Sequence, residues 1–175
     1  MISETDLQVI QGQLKRKINP SGSVSRYCSW NFPSVIQCLP ETEQGTPFPT
    51  LYWLSCPHLR YQVDKLEQKG LVKEISAQIR SDPKLMENYR KATEVYREER
   101  SALYLTIHPG LTIPEALETG IGGIREWRNL KNLKCLHTHL AFHLINRSEI
   151  VGGILNGLSL YCPTGACAGF IQAGI

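Results

Sequence analysis

Between residues 23 and 55 the apolar stretches are short and β-branched or aromatic, whereas from Cys56 to about Ala102 they repeat at helical spacing. This single change of period is the strongest constraint on the fold. SVSRYC (23–28), SVIQCL (34–39) and TLYWLS (50–55) are separated by Pro- and Gly-containing segments and read as three strands. Leu59, Val63 and Leu66 form a helical stripe ended by Gly70, Val72, Ile75 and Ile79 a second, and Leu85, Tyr89, Ala92 and Tyr96 a third after Ser81-Asp82-Pro83. Strands and helices that are segregated and do not alternate exclude a doubly wound parallel sheet. The expected class is α+β, a small antiparallel sheet packed against several helices.

Leu7, Ile10 and Leu14 predict a short first helix whose end carries Lys15, Arg16 and Lys17. Leu130, Leu133, Leu136, Leu140 and Leu144 predict a late helix over 129–146. With 175 residues the chain is expected to form one domain, 1–175, in which the small-residue segment 153–175 is a poorly ordered tail.

Charge excludes more than it suggests. The net charge of +3 is spread over 19 basic and 16 acidic residues without a long run of one sign, so no nucleic acid partner is called for. The N-terminal stretch lacks an apolar leader core, and no window reaches the ~18 to 20 apolar residues of a membrane span. The expectation is a cytoplasmic protein without a membrane partner, in which six cysteines stay unpaired as buried thiols, reactive thiols or metal ligands. Gly120-Ile121-Gly122-Gly123 has the composition of an anion-binding nest but lacks a P-loop lysine.

The stretch KCLHTHLAFHL (134–144) holds three of the five histidines. On a helix Cys135, His139 and His143 share one face and His137 points elsewhere; on a strand Cys135, His137, His139 and His143 share a face. Helical i, i+4 donors can reach one ion, the geometry of zinc sites built on such pairs. A histidine flanked by leucines is also an ordinary core-edge residue. Earlier in the chain, Pro57 reads as the first residue of a helix and places Cys56 at its N-cap, where the helix dipole favours a thiolate.

QGQLKRK, the cysteine of SRYCSW, GTPFPTLYWLSCP, LEQKG, YREER and KCLHTHLAFHL, in this order, resemble the bacterial family catalogued as domain of unknown function 501. The resemblance spans about Asp6 to Gly152, and no activity, substrate or cofactor comes with it. It implies that Cys28, Cys56-Pro57 and the Cys-x-His-x-His of Cys135, His137 and His139 are motif positions. Cys38, Cys162, Cys167 and His108 fall on none and are read as ordinary thiols and a surface imidazole. The family pattern has glycine at the place of Lys15; this chain departs from it there, and the lysine speaks against a tight turn, not against the site.

Three functions are compatible with these residues. In the first, Cys28, Cys56, Cys135 and His139 converge on one transition-metal ion such as zinc, His137 serves as outer partner or general acid/base, and an open coordination position supports hydrolysis. In the second, Trp53, the basic end of the first helix, and Trp127 with Arg125 and Arg128 form a non-catalytic surface for protein or RNA. The third is a thiol enzyme with Cys56 as nucleophile and His137 or His139 as base.

Overall fold

The computed structural model describes residues 2–18, 22–155, 158–159 and 161–171. Its elements are α1 (Glu4–Leu14), β1 (Gly22–Tyr27), β2 (Pro33–Cys38), β3 (Tyr52–Leu54), α2 (Pro57–Gln68), α3 (Leu71–Ser81), α4 (Pro83–Ile107), α5 (Leu136–Ile145) and α6 (Ile150–Ile154). The three strands form one antiparallel sheet in the order β1-β2-β3, so the α+β class read from the change of period is the one observed.

The central strand is buried on both faces, and its alternating side chains belong to different cores. Val35, opposite Leu54, joins the main core with Leu59 and Val63 of α2, Ile75 and Ile79 of α3, Tyr89 and Tyr96 of α4, and Leu136 and Phe142 of α5. There the Phe142 ring stacks on Tyr52 at 5.8 Å and meets Tyr96 edge-on at 5.1 Å. Ile36, opposite Trp53, joins Ile10 of α1 and Cys38 in a smaller cluster. Among the described residues, no helix is long and apolar enough to cross a membrane.

α1 starts at a Ser3 cap that accepts the Asp6 N–H at 3.1 Å. It ends at Lys15, whose backbone is left-handed (φ 53°, ψ 37°). The tight turn that a lysine at this position speaks against is present all the same, with a Cβ in a conformation that disfavours one. Lys15→Gly is expected to raise stability by about 0.5 to 1 kcal/mol, the left-handed penalty less the glycine's extra unfolded-state entropy. A melting temperature that falls would sink this reading of the turn.

The late helix begins at Leu136, seven residues after the start expected from leucine spacing. Leu130 and Leu133 are buried all the same, in a connection whose backbone bonds to other helices. The Leu133 N–H donates to Ser76 Oγ of α3 at 2.9 Å, and the Leu136 N–H to Glu67 Oε1 of α2 at 2.7 Å. Those side chains satisfy amides that an earlier helix start would have bonded internally, so the apolar spacing did not need a helix to be buried. Of the expected tail, residues 156–157, 160 and 172–175 lie outside the described residues; Ala166–Phe170 form a 3-10 helix whose Phe170 ring lies over Gly12 of α1.

Candidate metal centre

Because α5 starts at Leu136, Cys135 is its N-cap, with extended backbone (φ −141°, ψ 116°). A cap side chain turns toward the first turn of its helix, so Cys135 meets His137 and not His139. Cys135 Sγ lies 3.7 Å from His137 Nδ1. Glu67, from the last turn of α2, already accepts the Leu136 N–H, and the same Oε1 stands 3.3 Å from His137 Nδ1. One sulfur, one nitrogen and one oxygen donor from Cys135, His137 and Glu67 thus lie within 4.8 Å of one another. Asp64, one turn earlier on α2, sits 3.2 Å from His137 Nε2. That contact orients the ring and leaves Nδ1 toward the other two donors.

The electrostatics favour charged donors. Burial pushes the Cys135 thiol up, but hydrogen bonds from His137 and the Thr138 N–H together with the adjacent imidazole outweigh it, so its pKa falls below the ordinary value. Burial likewise opposes protonation of His137, and Cys135, Glu67 and Asp64 overcome it, so the imidazole pKa is raised. The group opens on a cavity of about 330 Å³ lined by Arg16, Trp53, Arg60, Asp64, Cys135 and His137 among others. The guanidinium groups of Arg16 and Arg60 in this lining suit a ligand bearing an anionic group. Arg16 also stacks over the Trp53 ring at 4.2 Å.

The other expected site residues are divided from this group. His139 is 0% exposed and places Nδ1 3.0 Å from the equally buried Glu149 carboxylate; its Nε2 has no hydrogen-bond partner among the described residues. His143 donates from Nδ1 to the Glu149 carbonyl at 2.6 Å. Both histidines fasten the start of α6 to α5, and neither reaches Cys135's donor group. Cys56 does cap α2 ahead of Pro57, as its sequence context predicts, but its thiol is buried and lines a different cavity with Cys28. Burial raises its pKa despite the Leu59 and His58 N–H groups. The quartet of Cys28, Cys56, Cys135 and His139 therefore does not form one ligand shell, and Cys56 shares no site with His137 or His139. The reason is local: the i, i+4 rule holds only when both residues are inside the helix, and Cys135 stands just before it.

Glu67 was missed because its partners lie far along the chain; LEQKG, read only as a helix end, was its one signal. Trp127 is 3% exposed, with Arg128 over its ring at 4.2 Å and Arg97 at 5.1 Å, so it offers no open face for stacking a base. In the glycine run, Gly120 and Gly123 N–H groups bond to the Ile124 and Gly120 carbonyls, which removes them from an anion nest. His108 is held 2.8 Å from Glu41, and Cys38 is buried with its thiol pushed up to about 12.

Compared with known proteins, residues 24–156 match the sequence profile of the family described as "Protein of unknown function (DUF501)". No curated protein and no solved structure matches the chain. The matched span contains Glu67, Cys135 and His137, and ends before Cys162.

Proposed function

The chain belongs to the DUF501 family of proteins of unknown function, and from that premise we propose that it is a metal-binding protein whose Glu67, Cys135 and His137 hold one zinc ion. The observation that carries this reading is the convergence of the three donors within 4.8 Å. Mixed sulfur, nitrogen and oxygen ligands suit zinc, and three protein ligands leave a position for water, the pattern of catalytic zinc sites. A zinc ion held by Glu67, Cys135 and His137 would supply Lewis-acid polarisation of a carbonyl or phosphoryl oxygen and lower the pKa of a water toward neutrality. Arg16 and Arg60 on the wall of the same cavity support a small substrate with an anionic group. The reaction class is therefore hydrolysis of a small anionic ester or amide, with Asp64 orienting His137.

Metal-stripped protein titrated with zinc against a chromophoric chelator tests the site. Cys135→Ser, His137→Ala and Glu67→Gln are each expected to weaken binding by about 100-fold or more, and Asp64→Asn by about 10-fold, the usual range for an outer partner. His139→Leu and His143→Ala leave affinity unchanged wherever the variant folds. Release of p-nitrophenol from its phosphate and acetate esters should require added zinc and fail in Cys135→Ser. Wild type and Cys135→Ser that bind zinc equally would overturn the proposal. If metal-free protein instead alkylates rapidly at Cys135, and His137→Ala slows that reaction, the pair is a thiol nucleophile and its base.

A further inference from the structure

Cys162-Pro163-Thr164-Gly165-Ala166-Cys167 places two cysteines on either side of a tight turn. Gly165 takes the left-handed conformation (φ 55°, ψ 25°) that caps the 3-10 helix Ala166–Phe170. A side chain there would also press on the Trp30 indole, 3.0 Å from an added Cβ. The turn sets the Thr164 hydroxyl 3.8 Å from the Cys162 sulfur.

Three further thiols face the same cavity of about 330 Å³: Cys28, Cys56 and Cys167. Cys28 follows β1 in a turn closed by its own N–H to the Phe32 carbonyl at 2.8 Å. Cys56 stands at the N-cap of α2, its thiol buried. Cys167 accepts from Gln13 Nε2 at 3.4 Å, and the buried Gln13 is fixed by a second bond to the Pro33 carbonyl at 2.8 Å. The Gln13 amide on Cys167 and the Thr164 hydroxyl beside Cys162 are outer partners of the kind that thiolate-ligated metals use. The remaining wall is largely aromatic and apolar, from Trp30, Phe32, Tyr61 and Phe170, and no described Asp, Glu, Lys or Arg lines it. Hard cations find no carboxylate ligands there.

The segment carrying Cys162 and Cys167 is held onto the rest of the chain. Trp30 Nε1 donates to the Cys162 carbonyl, Gln62 Nε2 donates to the Ser159 carbonyl at 2.9 Å, and Phe170 covers Gly12.

We propose that Cys28, Cys56, Cys162 and Cys167 form a four-thiolate centre for a thiophilic metal, distinct from the Glu67–Cys135–His137 group. Its occupant is an iron–sulfur cluster or a single zinc ion, the two species that four thiolates select. Among the described residues no three of these sulfurs lie mutually within 4.8 Å. A zinc tetrahedron needs sulfurs about 3.8 Å apart, from zinc–sulfur bonds of about 2.3 Å, so zinc is held only after the thiols draw in, and a cluster, with its wider span, asks for less movement. A zinc ion replaces four S–H protons with four metal–sulfur bonds; a four-iron cluster does the same from two ferrous ions, two ferric ions and four sulfides, so no electrons are gained or lost.

Full-length protein purified without oxygen, then incubated with equal amounts of ferrous and ferric iron plus sulfide, or with zinc alone, distinguishes the sources. A cluster gives iron, acid-labile sulfide and visible absorption; zinc gives about one equivalent beyond the one that Cys135→Ser loses, with no colour. In both arms Cys28→Ser and Cys162→Ser lose this second load of metal, whereas Cys135→Ser keeps it, which separates this centre from the zinc site proposed above. Gly12→Val, which touches no ligand, also lowers occupancy, because even a Cβ there stands 2.4 Å from Phe170 Cγ and displaces the segment bearing Cys167. Should the serine variants fail to fold, thiol mapping on wild type decides: alkylation of all four cysteines rises together on chelation. The proposal is overturned if neither treatment loads metal beyond what Cys135→Ser removes, if the four thiols alkylate independently of chelator, or if mapping finds them in disulfides.

Discussion

Arg100→Ala is expected to destabilise the protein by about 4 kcal/mol, a large share of the ~5 to 15 kcal/mol that separates a domain from its unfolded state. Arg100 sits in the middle of α4 with its side chain fully buried, and its guanidinium donates to the carbonyls of Pro49, Leu117 and Thr119. Burial lowers its pKa, and the nearby Tyr96 only partly opposes this. One side chain therefore ties the segment entering β3 and the 3-10 turn Glu115–Glu118 to the same helix. Tyr96, one turn earlier, adds the bond from the Leu51 N–H to its hydroxyl at 2.6 Å. Truncation leaves three buried carbonyls short of a donor, at about 1 to 3 kcal/mol each before relaxation, and opens a cavity. Arg100→Met refills most of the volume without the donors and should recover no more than about 1 kcal/mol. Urea unfolding of the three proteins checks this; a loss below 1 kcal/mol for Arg100→Ala would refute it.

The second large effect is at Glu149, where alanine should cost about 3 kcal/mol. Its buried carboxylate accepts the Val151 N–H at 3.0 Å and the Gly152 N–H at 2.6 Å, and faces His139 Nδ1 at 3.0 Å. Losing a helix cap costs about 1 kcal/mol, and leaving a buried imidazole without its remaining partner costs about 1 to 3 more. α6 also lies tightly on α5: a Cβ built on Gly152 would stand 2.3 Å from His143 Cβ. Glu149→Gln retains one acceptor and should recover about half of the loss. The zinc affinity of Glu149→Ala, measured where the protein is still folded, should match wild type, since neither Glu149 nor His139 belongs to the Glu67–Cys135–His137 group. Unchanged stability, or a fall in zinc affinity as steep as that of Cys135→Ser, would show that His139 does more than support α6.

That contrast between His137 and His139 marks how far the sequence could be followed. Period alone separated strands 23–55 from helices 56–102, because alternation and helical repeat bury different side chains and cannot be exchanged without exposing the core. Cys56 as the cap of α2 followed from Pro57, whose missing N–H suits only the first helical turn. The chemistry concentrated at residues 135–143 was also legible, as residue types. Which of them meet was not.

Each helical residue turns the side-chain direction by about 100°, so the difference between Cys135 inside α5 and Cys135 at its cap exchanges one histidine partner for the other. The start of α5 was set by amides bonding to Ser76 and Glu67, residues of α3 and α2 that no local pattern connects to it. Glu67 entered the donor group by the same route. In the same way Cys162 and Cys167 became neighbours of Cys28 and Cys56 only because the final segment returns across α1 and the start of α2. Backbone periodicity and caps are properties of a few adjacent residues, and the sequence by itself determined those; a donor set assembled from segments far apart in the chain depends on how the cores close, and that was decided by the tertiary structure alone.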